Sequence, residues 1–259
     1  MAETLADAVA AATADAGRMV HDLWRTDFRR WEKAPGHPVC DVDLAADALL
    51  RERLTAIDPD AGWLSEETID DPARLARRRL WVVDPIDGTR DFLRGRPGWA
   101  VSVALIEDGL PVIGVLDAPA RGEHWRAEHG RGATLNGRML RASERDTLIG
   151  ARVPTDALPK IDADLVAVAK PNSIALRMAM VASGEADLLA SLRWGAEWDI
   201  AAATLIVAEA GGVVTDALGE PLRFNTPGAD MFGILATAAG IHRAAVARLA
   251  DRARTASVR

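Results

Sequence analysis

Apolar and polar positions alternate along the first half of the chain in patterns that predict both helices and strands. Apolar side chains recur at helical spacing through an Ala-rich stretch from about residue 3 to 30, and residues 42–56 show the same period. Asp108-Gly109 is a strong signal for a hairpin turn between two apolar runs. The predicted strands of this half are 80–83, 99–107 and 111–117.

The composition shifts after residue 145, and a second lobe is predicted to begin there. Its predicted elements are strand 164–169, helix 173–184, helix 199–210, a turn at 217–221, strand 232–237 and a final helix near 240–253. The sequence contains no internal repeat and no low-complexity linker. We therefore expect an N-terminal α/β lobe, 1–145, and a C-terminal α/β lobe, 146–259, within one compact unit.

Composition excludes several classes of protein. The chain has 259 residues, of which 49% are hydrophobic and 27% charged, which is ordinary for a globular protein. A formal net charge of −7 argues against binding to a nucleic acid polymer, which requires a basic face. The single Cys40 excludes an intrachain disulfide and indicates a reducing compartment. With no signal-like N-terminus and no apolar run near the ~20 residues of a membrane span, a cytoplasmic protein without membrane contact is predicted.

The most informative stretch directly follows the predicted strand 80–83 and reads Asp84-Pro85-Ile86-Asp87-Gly88-Thr89. Asp-Pro is expected to end the strand, so that both carboxylates lie in a loop and turn toward one point. Gly88 permits close backbone approach, and Thr89 adds a hydroxyl. Carboxylates beside bare backbone N–H groups indicate a hard-cation site suited to phosphate chemistry. An acidic turn that only caps the strand is the alternative.

Two further acidic features point in the same direction. Asp199 precedes an Ala- and Leu-rich run that ends at Gly211-Gly212, so it is expected at the N-terminus of a helix. A helix-capping role is the alternative for this residue. Glu66-Glu67 follows a short apolar segment, and a solvated pair of glutamates is the alternative there.

Together these three segments resemble the inositol monophosphatase superfamily of Mg²⁺-dependent, Li⁺-sensitive phosphatases. The family pattern is an acidic Glu-Glu segment, then Asp-Pro-(Ile/Leu)-Asp-Gly-Thr, then Trp-Asp-x-Ala-Ala before a helix that ends Glu-Ala-Gly-Gly, and all three occur here in that order. The resemblance extends to residues 99–106 and reaches from the first helix to near the C-terminus. It implies a layered α-β-α-β-α sandwich of the α/β class, a phosphoric monoester hydrolase and a homodimer.

The resemblance also implies two or three Mg²⁺ ions per site, with Mn²⁺ able to substitute. The implied ligands are Glu66, Asp84, the Ile86 carbonyl, Asp87 and Asp199. Oxygen ligands are those that Mg²⁺ requires, and without a cation the four acids would repel one another. Asp43 matches the acid of a third, weaker site, where Cys40 replaces the family's usual Thr. Lys33 is either the basic residue of a mobile loop over the site or a solvated surface lysine.

The implied catalytic residues are Glu66, Asp84 and Thr89. Glu66 and Thr89 would orient a water, acidified by a cation, for in-line attack on phosphorus. A second cation, bridged by Asp84, would stabilise the leaving alkoxide. The backbone N–H groups of Gly88 and Thr89 would hold phosphate oxygens. The reaction implied is hydrolysis of a phosphomonoester.

Substrate choice rests on residues outside these motifs. Inositol monophosphatases often carry an acid six or seven positions before the Trp-Asp aspartate, and this chain has Leu192 and Arg193 there. Arg177 stands where related 3′(2′),5′-bisphosphate nucleotidases carry Lys, and an Arg fork suits a second phosphate. Solvated cations are the alternative for both arginines. The segment Glu197-Trp198-Asp199 also looks more like those nucleotidases.

The predicted substrate-binding residues are Asp87, Gly88, Thr89, Arg177, Arg193 and Glu197. The predicted substrate is a small phosphorylated metabolite of the inositol monophosphate type. 3′-Phosphoadenosine 5′-phosphate, histidinol phosphate and fructose 1,6-bisphosphate are alternatives, because function resides in the site rather than in the fold. A non-catalytic metal-sensing or partner-binding protein on the same fold is the alternative from another class.

Overall fold

A computed structural model describes residues 4–34 and 36–258. Its helices are α1 (Leu5–Leu23), α2 (Asp41–Ile57), α3 (Thr89–Leu93), α4 (Ile174–Ala182), α5 (Ala201–Glu209) and α6 (His242–Ser257). Its first nine strands are β1 (Arg30–Ala34), β2 (His37–Cys40), β3 (Gly62–Ser65), β4 (Arg79–Asp87), β5 (Ala100–Glu107), β6 (Leu110–Ala118), β7 (Glu123–Glu128), β8 (Gly132–Leu135) and β9 (Arg138–Met139). The remaining strands are β10 (Arg152–Pro154), β11 (Val166–Val168), β12 (Leu188–Ala196), β13 (Gly212–Thr215) and β14 (Asp230–Ala238).

The helices and the two larger sheets form five layers. A seven-stranded sheet has the order β3-β4-β5-β6-β7-β8-β9, in which only the β3–β4 pair is parallel. Helices α1 and α2 pack on one face of this sheet, and α5, with α4 beside it, packs on the other. Beyond α4 and α5 lies a three-stranded sheet of order β12-β14-β13, which α6 contacts in turn. The expected α-β-α-β-α sandwich is therefore confirmed.

Helix α1 begins at a capping box in which Thr4 and Asp7 exchange hydrogen bonds. It ends at Leu23, seven residues before the predicted boundary near residue 30. The chain leaves the helix because Trp24 is extended and Arg25 has a φ of +67°. The Trp24 indole then donates to the Phe92 carbonyl over 3.3 Å, so the residues after α1 contact the segment that carries α3.

Strand β4 continues beyond the Asp-Pro pair, so the prediction that this pair ends the strand is wrong. The pairing with β5 runs regularly to Asp84, opposite Ser102, and resumes at Asp87, opposite Ala100, after a shift of register. Pro85 lies within that irregularity, where the absence of an N–H donor costs no regular ladder bond. Both aspartates are consequently buried at the end of a central strand rather than in an exposed loop.

The two halves of the chain share one hydrophobic core. The largest buried cluster joins Leu64 and Leu116 of the seven-stranded sheet to Leu176 of α4 and Ile206 of α5. A second cluster lies between that sheet and helices α1 and α2, and a third lies under α6. Elements from beyond residue 145 therefore complete the packing of the first lobe. Among the described helices, none is both long and apolar enough to cross a membrane.

Candidate active site

Four predicted metal ligands come from three distant segments and line one cleft, called here the acid cleft. Glu66 directly follows β3, Asp84 and Asp87 lie at the end of β4, and Asp199 lies two residues before α5. The acid cleft has a volume of about 250 Å³. Its other lining residues are Gly36, Pro38, Ile86, Gly88, Thr89, Arg90 and Asn172.

Burial and mutual repulsion make Asp84, Asp87 and Asp199 reluctant to ionise. Burial raises the pKa of Asp84 well above its usual range, and the charges of Glu66 and Asp87 raise it further. Burial, followed by the charges of Asp87 and Glu66, raises the pKa of Asp199 to about 8. Burial also raises the pKa of Asp87 to about 6, although hydrogen bonds oppose this. A cation in the cleft would remove this penalty.

The four acids line one cleft, but their side chains are not gathered around a single position that a metal ion would occupy. Across the described residues, no three Asp, Glu, His or Cys side chains form a group that could already hold a metal ion. Asp84 accepts instead from the Ile86 N–H at 3.0 Å, and Asp199 accepts from the Ala196 N–H at 3.3 Å. The N-cap of α5 is Ile200 rather than Asp199, so the helix-capping alternative for Asp199 does not hold. Asp199 instead lines the acid cleft. Repulsion between like charges opposes any closer approach.

Asp87 is held by the N-terminus of α4, a contact between the two halves of the chain. It accepts from the Ser173 hydroxyl at 2.5 Å and from the Ala175 and Ile174 N–H groups at 2.8 and 3.3 Å. Ser173 also caps α4, because its Oγ accepts from the Leu176 N–H at 2.9 Å. Our sequence reasoning did not select Ser173, although a serine directly before an apolar helical run is a signature of a helix start.

The turn between β4 and α3 requires a glycine. Gly88 has a φ of +96°, and a Cβ there would lie 2.7 Å from the Gly98 carbonyl oxygen. The turn brings Thr89 onto the cleft wall, where its hydroxyl donates to the Ile86 carbonyl at 3.0 Å. Gly88 and Thr89 both line the acid cleft, and because the first N–H groups of a helix have no partner within it, this turn has unpaired donors of the kind that bind phosphate.

Lys33 contacts the acidic segment rather than being a solvated cation. Its Nζ lies 2.5 Å from an oxygen of Glu67 and 3.3 Å from one of Glu66. Burial by itself would lower the pKa of Lys33, but the charges and hydrogen bonds of Glu66 and Glu67 outweigh burial, so the pKa of Lys33 is raised. Burial raises the pKa of Glu67 to about 7. The β1–β2 hairpin is thus joined by charge to the wall of the site.

Asp43, the predicted ligand of a third cation, lies behind the cleft wall. It is buried in the first turn of α2 and accepts from the N–H of Cys40 at 2.8 Å and from its thiol at 2.9 Å. Burial raises the pKa of Asp43 to about 6. The thiol therefore donates where the family's threonine hydroxyl would, although more weakly. A role of Asp43 toward a third cation stays a prediction.

A second cleft of about 420 Å³ opens beside the acid cleft, and it is called here the arginine cleft. Arg90, Arg177 and Arg193 line it, so both predicted arginines reach the site. Arg177 donates to the carbonyls of Ser173 and Asn172 at 3.2 and 3.0 Å, whereas Arg193 is exposed. Burial lowers the pKa of Arg177, and the nearby charge of Arg193 adds to this. The cleft therefore favours an anionic group.

Glu197 lines neither the acid cleft nor the arginine cleft, and its role as a substrate ligand stays a prediction. Its side chain is completely buried. One oxygen accepts from the Asn225 N–H at 2.7 Å, and the other accepts from the N–H and hydroxyl of Thr226 at 2.8 and 2.6 Å. With these donors in place, the carboxylate holds the loop before β14 against the start of α5.

A five-layered sandwich with an oxygen-lined acidic cleft is the architecture of a metal-dependent phosphoric monoester hydrolase. The chain belongs to the Inositol monophosphatase family, whose profile matches residues 1–255. This confirms the family resemblance, the fold class and the class of enzyme predicted from the sequence.

Individual relatives agree with this assignment. The chain is 38% identical over 194 residues to the Nus factor SuhB of Xylella fastidiosa, covering 69% of each protein. It is 37% identical over 201 residues to an inositol-1-monophosphatase of Mesorhizobium japonicum, covering 72% of this chain and 75% of the relative. A solved structure of an IMPase from Thermotoga maritima superposes with a TM-score of 0.82 at 29% identity, covering 96% of this chain and 97% of that one.

Proposed function

We propose that the protein is a Mg²⁺-dependent, Li⁺-sensitive phosphatase that hydrolyses a small phosphomonoester of the inositol monophosphate type. The observation that carries this proposal is the shared position of Glu66, Asp84, Asp87 and Asp199 on one cleft, beside the backbone of Gly88–Thr89. Similarity to a relative named inositol-1-monophosphatase supports the choice of substrate class.

The donor set of the acid cleft is suited to Mg²⁺. Among the described side chains that line the cleft, the ligands are carboxylate oxygens, to which the Ile86 carbonyl is added, and there is no sulfur or imidazole. Glu66, Asp84, Ile86, Asp87 and Asp199 would hold the ions. Bound cations would neutralise the clustered negative charge, attract the phosphate and make water ionise more readily.

The protein's own groups orient the reaction. The Gly88 and Thr89 N–H groups bind phosphate oxygens, and Thr89 and Glu66 accept hydrogen bonds from a water that is in line with the scissile bond. The water oxygen bonds to phosphorus as the P–O ester bond breaks. The proton that the water loses balances the one that the leaving alkoxide gains, so the products are an alcohol and inorganic phosphate.

A phosphate-release screen tests the proposal. The substrates are inositol 1-phosphate, 3′-phosphoadenosine 5′-phosphate, histidinol phosphate and fructose 1,6-bisphosphate, each with Mg²⁺ and with EDTA. We expect release with Mg²⁺ and loss of release with EDTA. Millimolar Li⁺ should inhibit by replacing one Mg²⁺. Absence of release from all four substrates with Mg²⁺ would favour the non-catalytic alternative.

A bisphosphate nucleotidase is the second candidate, and the arginine cleft favours it. Leu192 lines this cleft where an acid would bind a sugar hydroxyl, and Arg193 lies beside it. We expect Arg193→Ala to weaken 3′-phosphoadenosine 5′-phosphate hydrolysis by about 10-fold or more, since charge-assisted bonds are strong. Inositol 1-phosphate hydrolysis is the matched control, and an equal loss on it would contradict a role in binding the second phosphate.

Two further properties are proposed from the family alone. We expect a homodimer, which light scattering of the purified protein would test. We also expect a cytoplasmic location, which fractionation of the source cells would test. The prediction that the protein binds no nucleic acid polymer rests on its net charge of −7.

A further inference from the structure

Three neighbouring cavities, which adjoin through shared lining residues, lead from the acids into the second half of the chain. The acid cleft shares Asp87, Arg90, Asn172 and Asp199 with the arginine cleft. The arginine cleft shares Arg177, Ala190, Leu192 and Arg193 with a third cavity of about 270 Å³. A ligand whose phosphate occupies the acid cleft can therefore extend past the two arginines into this third cavity, called here the apolar pocket.

Aliphatic side chains line one part of the apolar pocket, and the charged side chains of Arg248 and Arg252, paired with Asp164 and Asp162, line another. Its apolar side chains include Leu148, Val153, Leu158, Leu165, Leu188 and Leu249. The acid on its wall, Asp162, is paired with Arg252 at 2.7 Å and is not available to bind a hydroxyl. A dry cavity of about 150 Å³ accommodates a benzene molecule, so this pocket has room for one ring or a short alkyl chain.

The mouth of the apolar pocket is positively charged. Arg177 is held by two backbone carbonyls, which fixes its guanidinium at the junction of the two cavities. Arg193 forms no hydrogen bond or ion pair with any residue in the described part of the chain, so its guanidinium remains able to bind a ligand. Lys170, also on the wall, pairs with the exposed Asp156 at 2.8 Å. An anion at the mouth would meet both arginines.

We propose that the leaving group of the substrate carries a second anionic group followed by an apolar moiety. This inference rests on the proposed function, because the acid cleft must first hold the phosphate ester. The second anion lies between Arg177 and Arg193, and the apolar moiety enters the pocket. A polyol would be the poorer occupant of the aliphatic part of the pocket, because its hydroxyls would lose hydrogen bonds to water there and meet leucine side chains.

Two series of phosphate esters test this inference and separate the two possible anions. The first series carries a carboxylate, from 2-(phosphonooxy)propanoate to 2-(phosphonooxy)octanoate. The second carries a phosphate, from propane-1,2-diol bisphosphate to octane-1,2-diol bisphosphate. We expect kcat/KM to rise by about 10-fold or more along at least one series, because each buried methylene favours binding by about fourfold. If the esters are hydrolysed, the absence of a rise in both series would overturn the inference.

Variants that fill the apolar pocket test whether the dependence of kcat/KM on chain length arises there. Ala190→Leu narrows the junction of the two cavities, and Ala157→Trp fills the pocket from its exposed rim. In each, the ratio of kcat/KM for the long ester to that for the short ester should fall at least fivefold. Ala163→Trp is the matched control, since Ala163 is exposed on the same segment and lines none of the three cavities. An unchanged ratio in both filling variants would contradict the assigned pocket.

Calorimetric titration with the same esters in Mg²⁺ buffer keeps the two proposals apart. Chain-length-dependent binding without phosphate release would contradict the proposed function and support the pocket. Phosphate release without any chain-length dependence, in rate or in affinity, would contradict the pocket and leave the proposed function supported. Neither release nor binding would overturn both.

Discussion

Buried carboxylates occur in two regions of this molecule, and their surroundings are opposite. In the second half, Asp187 is fully buried and accepts from Ser143 at 2.5 Å, from Arg145 at 3.1 Å and from Arg152 at 2.7 Å. These donors outweigh burial and hold its pKa below the usual range. In the acid cleft, Asp84 is equally buried but faces other acids, and its pKa is raised.

The difference in surroundings separates carboxylates whose charge the protein balances with its own donors from those whose charge it leaves unbalanced. Glu197 belongs with Asp187, because three donors from Asn225 and Thr226 satisfy its carboxylate. Burial alone therefore does not identify a site, since Asp84 and Asp187 are both buried. The deciding observation is whether the protein itself supplies matching donors. The acid cleft has too few of them for its negative charge.

The largest expected effect is loss of activity in Asp84→Asn. We expect kcat/KM to fall by about 1,000-fold or more, because the change removes a charge that would hold the cation. The free energy of unfolding in EDTA should stay equal or rise, since repulsion with Glu66 and Asp87 is relieved. Phosphate release and thermal unfolding measure the two quantities. Activity near that of the wild type would refute the metal assignment.

The opposite result is expected for Asp187→Asn. Losing this charge leaves Arg145 and Arg152 without their buried partner, and we expect the free energy of unfolding to fall by about 2–4 kcal/mol. The specific activity of the folded fraction with Mg²⁺ should change by less than about threefold, as Asp187 lines neither cleft of the site. Chemical denaturation gives the stability. A stability equal to that of wild type would place Asp187 with the cleft acids.

The pH dependence of stability provides a smaller but sharper comparison. Burial raises the pKa of Asp199 from 3.8 to about 8, so between these values the folded chain holds a proton that the unfolded chain has lost. Its contribution to stability in EDTA therefore falls as pH rises toward 8. We expect thermal unfolding to shift downward between pH 6.8 and 8.8 and Mg²⁺ to restore more stability at the higher pH.

Asp199→Asn is the control for this dependence. The variant cannot ionise at this position, so its shift between the two pH values should be smaller than that of wild type. The same shift in both proteins would mean that other groups cause the dependence.

The smallest effect is expected at the hydrogen bond between Cys40 and Asp43. Cys40→Ser keeps a donor, and a hydroxyl is the stronger one, so stability should change by less than about 1 kcal/mol. Cys40→Ala leaves Asp43 with only the Cys40 N–H and should be less stable than Cys40→Ser. Thermal unfolding of both variants measures the difference. Equal stabilities would show that the thiol contributes nothing to Asp43.

Local signals in the sequence predicted the chemistry of the acid cleft and much of the fold. Asp84 directly follows the predicted strand 80–83, and Asp199 lies at the start of the predicted helix 199–210, so their place near element ends follows from the pattern, whereas β3 before Glu66 was not predicted. The α2 helix and the β5–β6 hairpin agree with the predicted 42–56, 99–107 and 111–117 within a few residues. Short-range periodicity and turn chemistry were sufficient there.

Several of the features that we did not predict depend on distant partners. Strand β12 contains Arg193 and Gly195, has no clear alternation, and is defined by its pairing with β14 about 40 residues away. The extension of β4 through Pro85 depends on a register shift opposite β5. Glu197 resembled a site residue because its neighbours are Trp198 and Asp199, whereas its carboxylate is turned toward Asn225. Side-chain direction of this kind is not encoded in spacing.

Because the N-terminus of α4 donates hydrogen bonds to Asp87, we expect both halves of the chain to be needed for activity. A fragment ending at residue 145 would contain three of the four acids, yet it would lack Ser173 and the N–H groups that orient Asp87. Expressed apart, neither piece should hold the ion set, whereas mixing the pieces could restore it by complementation. The effect of an insertion or a break near residue 145 on activity should thus depend on whether the two pieces can still pack together.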